Sequence, residues 1–394
     1  MSKRYLMLSA ATATALAVPL TAGVASAAPA TPTPTVVVSG LNNPRQLSIG
    51  QYGVMLIAEA GKGGTLASIA DPEGGTQGIG LTGSVSEVWE PRFTSNSKPK
   101  RIVKGLLSAA GADGSGAVGP DGVSAWKLEN IAIQETAFPP DALATVPAKA
   151  AATNGQLLTM SQWHPRQLAP LADLAGYEAT VNPDGQEINP DPYAVLRVGD
   201  HWLVADAGGN DVLKIDKRGH ISTWHVFDNI VNATCLDPSL QQPPPSKPGC
   251  QYVPTSLAMD KHGNIYVGGL GGLVPGQGSV TELSPDGQTV LANWTGFTGV
   301  TGVAVSGRGD VYVSQLFAPE ANPINPAIQG VLTKISHTGT QTSVDVPFPA
   351  GVALDGHGNV YVSAFSIAPD TGLVDPSSGM AVPGTSGQVW RLHW

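Results

Sequence analysis

A short pattern of apolar and polar positions recurs along the chain and organises it. The pattern is a proline, a short apolar run, a polar turn with glycine, and a second run in which apolar residues alternate with others. Each copy predicts two antiparallel strands around a tight turn. Repetition at this spacing is typical of propellers and repeat arrays. Clear copies are VPTSLAMDKHGNIYVGG at Val253–Gly269, VTGVAVSGRGDVYVSQ at Val300–Gln315 and PAGVALDGHGNVYVSA at Pro349–Ala364.

The pattern can be followed six times, and two further strands follow in most copies. Six four-stranded units predict an all-β fold, a single six-bladed β-propeller. The last unit lacks an outer strand before the sequence ends, whereas the β-type segment Thr35–Ser39 is unused. We expect this N-terminal strand to pair with Gly387–Trp394 and to close the ring, which removes exposed sheet edges. The innermost strands begin at Pro44, Pro120, Pro192, Pro254, Val300 and Pro349.

The long connections are all predicted at one end of the blades. Turns between first and second strands, and between third and fourth, are short, so loop and short-helix insertions decorate one face. That face is expected to bind a ligand or partner. One insertion contains a predicted helix at Leu168–Thr180, bounded by Pro170 and by Asn182-Pro183. The insertions are Gly61–Gly83, Glu135–Gly155, His164–Asp191, Asp228–Val253, Phe317–Gly330 and Ser366–Ser386.

The N-terminal residues have the pattern of a signal peptide. Lys3 and Arg4 precede an apolar, alanine-rich run, and Ala25-Ser26-Ala27 supplies a cleavage motif. The run is short for a membrane span, although a retained anchor is the alternative. We therefore expect a signal peptide at residues 1–27, a Pro/Thr-rich spacer at 28–35 and the propeller at 36–394. The mature protein is expected to be secreted, without a transmembrane segment.

Composition and charge exclude one class of partner and predict one cross-link. Charged residues are 13% of the chain, about half of the roughly 25% usual for globular domains. The net charge is −9 with no basic cluster, which argues against nucleic-acid binding. Cys235 and Cys250 are the two cysteines, and in an oxidising compartment they are expected to form one disulfide. We expect a monomer.

Acidic residues occupy one equivalent position in three consecutive predicted blades. Glu59, Glu135 and Asp206 each follow the second strand on the decorated face, and Gln315 holds that position in the fifth unit. Oxygen ligands of this kind suit Ca²⁺ or another hard divalent cation. The alternative for Asp206 is a structural cap of the turn that follows it. Supporting candidates near this arc are Glu178, Asn182, Asn189 and Trp163.

Motifs of known catalytic chemistry are absent from the sequence. No G-x-S-x-G elbow, Walker loop or dinucleotide fingerprint occurs, and no histidine has zinc-like spacing with another ligand. The sequence therefore predicts no catalytic residue.

Several segments carry a resemblance to known propellers. VADAGGNDVLKIDKRGHIST looks like an NHL-type repeat, and NPRQL, GPDGVS, DLAGYEATVNPDG and DAGGND together resemble the exported ScyD/ScyE-type propeller family. The resemblance covers about Val36 to Trp394 and implies the propeller fold. Members of that family accompany the scytonemin pigment pathway, and the family offers no established catalytic set to carry over.

Two functional interpretations follow. The first is an exported binding or scaffold propeller whose looped face holds a small ligand, glycan, peptide or protein partner. The second is a metal-dependent hydrolase of lactonase or esterase type, similar to the SMP-30/gluconolactonase group. Such enzymes present an acidic residue early in the first blade. Here Asn43-Pro44-Arg45 occupies that stretch and Glu59 would have to substitute, so the binding interpretation is placed first.

Overall fold

Antiparallel sheets follow one another in chain order through the described part of the protein. The structure is a computed structural model that describes residues 32–50, 52–70, 75–112, 114–125, 131–134, 136–160, 168–242, 244–317, 330–367 and 386–394. The predicted signal peptide, Glu135 and Trp163 lie outside the described residues.

Sheet 1 has five strands. After the N-terminal strand β1 (Thr35–Leu41), its strands are β2 (Pro44–Ile49), β3 (Val54–Glu59), β4 (Ala67–Ala70), β5 (Thr76–Trp89) and β6 (Lys100–Ala110). β3 pairs with the second half of β5, whereas the first half projects beyond β3 and pairs with β4. β6 follows β5 along most of its length. The predicted loop Gly61–Gly83 is therefore largely sheet.

Within the described residues, the other five sheets have four strands each. Sheet 2 consists of β7 (Gly122–Ala125), β8 (Ile131–Gln134), β9 (Gln156–Met160) and β10 (Leu168–Asp173), and sheet 3 of β11 (Pro192–Val198), β12 (His201–Asp206), β13 (Asp211–Ile215) and β14 (Ile221–Val226). Sheet 4 consists of β15 (Pro254–Met259), β16 (Ile265–Gly269), β17 (Gly278–Leu283) and β18 (Val290–Phe297), and sheet 5 of β19 (Val300–Val305), β20 (Val311–Gln315), β21 (Val331–Ile335) and β22 (Gln341–Asp345). Sheet 6 combines β23 (Val352–Leu354), β24 (Asn359–Ala364) and β25 (Gly387–His393) with β1.

The propeller prediction is correct in kind, but the prediction of six four-stranded blades is wrong. In the described part of the chain the structure has five such blades, sheets 2 to 6, and sheet 1 is a five-stranded sheet of different build. Glycines explain why sheet 1 has an additional strand. A Cβ on Gly63 would lie 2.1 Å from the carbonyl oxygen of Gly78, and a Cβ on Gly64 would lie 2.7 Å from the Cα of Gly80. The chain can fold onto its own hairpin here because these positions lack side chains.

The expected pairing of the two terminal strands is confirmed. β1 runs antiparallel to β25, with Thr35 opposite Arg391 and Leu41 opposite Gly387. Val37 and Leu41 of β1 are fully buried and pack in one cluster with Met55 of sheet 1 and Tyr361 of sheet 6. The N-terminal strand therefore covers the edge of the last sheet and joins it to the first.

The predicted helix at Leu168–Thr180 is partly wrong. Residues 168–173 form the edge strand β10, where Pro170 is tolerated because an edge strand leaves one row of N–H groups unpaired. Asp173 then caps the helix by accepting a hydrogen bond from the Gly176 N–H at 3.0 Å. The helices are α1 (Ala148–Ala151) and α2 (Leu174–Val181), and short 3₁₀ turns are Pro140–Leu143, Pro238–Leu240 and Gly271–Leu273.

Hydrophobic side chains fill the spaces between successive sheets. Leu56 and Leu158 belong to a buried cluster between sheets 1 and 2, and Leu332 and Val360 to one between sheets 5 and 6. The innermost strands meet at Gln46 of β2. Its side-chain amide donates to the carbonyl oxygens of Thr255 at 2.9 Å and Thr301 at 2.8 Å, and so ties sheet 1 to sheets 4 and 5.

The predicted disulfide is confirmed. Cys235 and Cys250 are bonded within the connection between sheets 3 and 4. In the loop that the disulfide closes, the Lys247 ammonium donates to the carbonyl oxygen of Asp184 at 2.6 Å. The disulfide thus closes a loop that hydrogen bonds of Lys247 hold against the turn after α2. Among the described residues, no helix is both long and apolar enough to cross a membrane.

Candidate functional site

Glu59, the first member of the predicted arc, is committed to an ion pair. It ends β3 and is fully buried. Arg101 donates from Nε to both carboxylate oxygens at 3.1 Å and from Nη2 to Oε2 at 2.7 Å. The Ser86 hydroxyl donates to Oε1 at 2.6 Å and the Asn42 N–H to Oε2 at 2.8 Å. This carboxylate is neutralised and hydrogen-bonded in place, so it has a structural role.

Gln315 and Asn182 are also occupied by structural contacts. The Gln315 side-chain oxygen accepts from the Thr298 N–H at 2.9 Å, and its amide donates to the Thr333 hydroxyl at 3.2 Å. Asn182 ends α2 in a left-handed conformation, and its side-chain oxygen accepts from the Gly185 N–H at 3.1 Å. Neither side chain presents a free group to the acidic positions.

Asp206 caps the turn after β12 and also holds the chain of the preceding insertion. Its Oδ1 accepts from the Gly209 N–H at 2.9 Å and from the Asp191 N–H at 2.8 Å. Its Oδ2 has no hydrogen-bond partner although it is buried. Burial is the main cause that raises the pKa of Asp206 to about 6. Oδ1 of this carboxyl therefore has a structural role, whereas Oδ2 is buried without a hydrogen-bond partner.

Two further acids join Asp206, and we call Glu178, Asp206 and Asp211 the sheet-3 acid cluster. Asp211 lies directly opposite Asp206 in the pairing of β12 with β13. Glu178 projects from α2 and is buried. Glu178 Oε1 and both Asp211 carboxylate oxygens are buried without a hydrogen-bond partner. The structure therefore brings Glu178 and Asp206 together, as the sequence suggested, and adds Asp211.

Electrostatic repulsion acts within the sheet-3 acid cluster. Burial, and to a lesser extent the charges of Asp206, Glu178 and Asp184, together raise the pKa of Asp211 to about 9. Burial likewise raises the pKa of Glu178 to about 7, with contributions from Asp206 and Asp184. Every cause acting on these two groups favours the neutral form. Even so, in the described part of the chain no set of three or more His, Cys, Asp or Glu side chains is arranged to hold a metal ion as it stands.

A second buried polar centre lies beside the innermost strands. Arg45 donates from Nε to Asp121 Oδ1 at 3.1 Å, from Nη1 to the carbonyl oxygen of Ser366 at 2.8 Å, and from Nη2 to the carbonyl oxygen of Ala117. Asp121 is fully buried, and burial raises its pKa to about 6 although the Arg45 charge acts in the opposite direction. Arg45 therefore links sheet 1 to the segment before sheet 2 and to the connection between β24 and β25 of sheet 6.

Asp191 connects this centre to an open pocket. The pocket has a volume of about 770 Å³ and lies between the β4 hairpin, the segment around the 3₁₀ turn Pro140–Leu143, and Asn189–Asp191. Asp191 is only partly exposed. Burial raises its pKa to about 8, with the charges of Asp121 and Asp206 adding to the rise and Arg45 opposing it. Asn189, a supporting residue of the prediction, lines the same pocket.

The pocket walls are built mainly of small apolar side chains, and its floor carries polar groups. Gln77 and Thr136 are buried polar residues of the lining. A mostly apolar cavity with a few polar groups and an acid of perturbed pKa is the usual form of a small-molecule site. The apolar lining includes Leu66, Ala67, Ile69, Val118, Phe138 and Ala142.

Sequence reasoning missed Asp121, Asp191 and Asp211. Asp211 had a readable signal, because the four-residue turn in DAGGND places its two aspartates opposite each other once β12 and β13 are assigned. Asp191 had no comparable signal, because the pocket above it depends on how insertions of three sheets pack together.

Comparison with known proteins places the chain by fold alone. No protein-family model matches the sequence. No curated protein matches it. Among solved structures, a putative oxidoreductase (glucose dehydrogenase) from Thermus thermophilus is similar over 92% of this chain and 100% of that chain, with 16% identity and a TM-score of 0.50.

Two further solved structures have lower scores. The PQQ-bound aldose sugar dehydrogenase of Streptomyces coelicolor has 12% identity and a TM-score of 0.47, covering 93% of this chain and 99% of that chain. A gluconolactonase of Xanthomonas campestris has 8% identity and a TM-score of 0.47, covering 92% of this chain and 89% of that one. The likeness to the Thermus thermophilus protein supports the β-propeller fold alone, and the resemblance to the ScyD/ScyE-type family stays a prediction.

Proposed function

We propose that this protein is an exported binding propeller that holds a small amphiphilic molecule in the pocket above Asp191. The observation that carries the proposal is a mostly apolar cavity of about 770 Å³, built by insertions of three neighbouring sheets, whose lining includes the partly buried Asp191 and the exposed Asp141. That volume lies in the range of small-molecule sites, roughly 300–1,000 Å³. The ligand would have an apolar body and a hydrogen-bond-donating end, such as an amine.

The packing of the insertions supports a formed site. Behind the pocket, Ile79, Leu107 and Phe138 belong to a buried cluster that also contacts partly buried residues of β4 and of α1. The Thr145 hydroxyl donates to the carbonyl oxygen of Leu66 at 2.5 Å, across the pocket mouth from one insertion to the other. These walls have their own core, so little ordering is required when a ligand binds.

The Asp191 carboxyl in the pocket favours a ligand that carries a hydrogen-bond donor or a positive charge. An Asp191 carboxyl with a pKa of about 8 is largely neutral near pH 7. A bound ammonium group would compensate the carboxylate charge and draw that pKa downward. A ligand with such an end would therefore bind more tightly than an otherwise similar neutral molecule.

Arg45 argues for binding rather than metal-assisted hydrolysis. The stretch where the hydrolase interpretation requires an acid carries Arg45, and this arginine pairs with Asp121. Glu59, the substitute acid, is already paired with Arg101. The hydrolase interpretation thus finds an arginine where it requires an acid, and its substitute acid already has a positively charged partner.

Fluorescence titration with dansylcadaverine, which joins an apolar ring system to an amine, tests this proposal. We expect saturable binding, and weaker binding of dansylamide, which lacks the amine. Ala144→Trp should reduce binding of dansylcadaverine at least tenfold, because Ala144 is an exposed residue that lines the pocket. Asp191→Asn should remove the preference for the amine.

Ala233→Trp is the matched control, because Ala233 is exposed in the connection after sheet 3 and is not part of this lining. It should bind dansylcadaverine as the wild type does. Equal binding by the Ala144→Trp and Ala233→Trp variants, or no saturable binding to the wild type, would contradict the proposal.

A further inference from the structure

Two acidic side chains face each other across the β12–β13 hairpin. Asp206 and Asp211 are direct register partners. Residues directly opposite in an antiparallel pair project to the same face, with Cβ atoms about 4.5–5.5 Å apart, and like charges in that arrangement repel. The two pairs next to it in this hairpin are apolar, Ala205 with Val212 and Val204 with Leu213. The acidic pair is therefore costly unless something else compensates it.

Glu178 reaches the same point from α2. A Cβ built on Gly209, in the turn of this hairpin, would lie 3.1 Å from Glu178 Oε2 and 3.3 Å from the Asp206 carboxyl carbon. The glycine thus leaves the space into which both carboxyls project. A helix from one insertion and a hairpin of the blade jointly form the sheet-3 acid cluster.

The carboxyl oxygens of the cluster are buried and largely unpartnered. Glu178 and Asp206 are each 1% exposed and Asp211 is 0% exposed. Glu178 Oε1, Asp206 Oδ2 and both Asp211 oxygens have no hydrogen-bond partner. Buried polar atoms in native proteins are usually satisfied, and an unpartnered buried group requires an explanation such as an ion. Asp211 is the clearest case, because its whole carboxyl is directed beside Asp206 without a donor.

We propose that Glu178, Asp206 and Asp211 bind one divalent cation, Ca²⁺, which joins α2 to the β12–β13 hairpin. Oxygen ligands and irregular geometry suit Ca²⁺, which accepts six to eight oxygens, better than Mg²⁺, which demands a near-ideal octahedron. The three carboxyls are not arranged around a coordination point as they stand, so they rotate inward on binding. Water or backbone carbonyl oxygens complete the coordination.

The cation would also act on the adjacent pocket. Asp206 Oδ1 accepts from the Asp191 N–H at 2.8 Å, and Asp191 lines the pocket. Fixing the Asp206 carboxyl would therefore fix the segment that carries Asp191. The cation site stands independently of any pocket ligand, because its residues are defined by the hairpin and α2 alone.

Thermal unfolding of the full chain, first treated with EDTA and then dialysed, tests the cation site. Because a ligand of the folded state stabilises it by mass action, Ca²⁺ at a hundredfold excess over Kd should raise the melting temperature by roughly 3 °C or more. Mg²⁺ should give a smaller rise. Asp211→Asn and Glu178→Gln should each abolish the rise with Ca²⁺.

Glu187→Gln is the matched control, because Glu187 is exposed in the segment after α2, and it should keep the full rise. Equilibrium dialysis of the wild type with ⁴⁵Ca²⁺ gives a readout that needs no variant, and one ion per chain is expected. No bound Ca²⁺ at millimolar concentration, or an unchanged rise in both cluster variants, would overturn the proposal.

Discussion

Glu59 and Asp206 occupy the same place in two sheets but have opposite surroundings. Each is the last residue of the second strand of its sheet, and each is buried. Glu59 receives an arginine, a hydroxyl and a backbone N–H. Asp206 receives two backbone N–H groups and faces another aspartate. The same position thus carries a neutralised carboxylate in sheet 1 and part of an uncompensated cluster in sheet 3.

The two acids differ in the residue that lies opposite each of them on the neighbouring strand. Ser84 lies opposite Glu59, whereas Asp211 lies opposite Asp206. In sheet 1 the neutralising charge comes from β6, which supplies Arg101. An acid at the end of such a strand is therefore structural or available to a ligand according to what its neighbouring strands place beside it.

We expect the largest loss of stability when the ion pair between Glu59 and Arg101 is broken. Arg101→Met keeps most of the side-chain volume and leaves Glu59 buried without its cation. Removing one partner of a buried ion pair usually costs about 3–5 kcal/mol. The Arg101 side chain is 23% exposed, so the lower end of that range is expected for the free energy of unfolding, measured by urea denaturation.

Arg218→Met is the control for Arg101→Met, because Arg218 is exposed in the turn between β13 and β14. Its cost should be within about 0.5 kcal/mol of zero. If Arg101→Met cost no more than Arg218→Met, the account of Glu59 as a neutralised structural carboxylate would be wrong.

We expect only a small change in the free energy of unfolding when the sheet-3 acid cluster is altered. In EDTA, Asp211→Asn removes a buried acid that accepts no hydrogen bond, so little stabilisation is lost. The free energy of unfolding should change by less than about 1 kcal/mol. A loss as large as that of Arg101→Met would show that Asp211 has a stabilising partner, and the contrast between the two regions would fail.

Much of the fold was readable from sequence because strand pairs repeat with fixed turn chemistry. The hairpin around Asp260 illustrates this. Its carboxylate accepts from the His262 and Asn264 N–H groups, which is the usual role of an aspartate in a tight turn. The same carboxylate contacts recur at Asp355. Such contacts are local, so a single copy of the pattern specifies them.

Sheet 1 was not readable in the same way. Its extra strand depends on glycines at residues 63–64 meeting glycines at 78 and 80, a contact between two segments that each look like loops. The long strand β5 also lacks the proline-and-turn punctuation of the repeat. The repeated pattern predicted the strands of sheets 3 to 6, but residues 168–173, which form β10 of sheet 2, were assigned to a helix, and the fifth strand of sheet 1 was not predicted.

The candidate site was readable only in part. Position after the second strand singled out Glu59 and Asp206 alike as candidate ligands, but it gave no information about which acid has a positively charged partner. Arg101 lies 42 residues after Glu59, and no local pattern links the two. Asp191 and Asp121 come from segments between sheets, and their pKa values reflect burial, which sequence spacing does not encode.

Anomalous diffraction from crystals soaked in Tb³⁺, a substitute for Ca²⁺, tests the contrast between the two regions most directly. We expect one strong peak, from an ion bound by oxygens of Glu178, Asp206 and Asp211 at roughly 2.3–2.6 Å. We expect no peak beside Glu59, which remains paired with Arg101. A crystal without a peak at the sheet-3 acid cluster, or with the ion bound at Glu59 instead, would show that the two acids do not differ in this way.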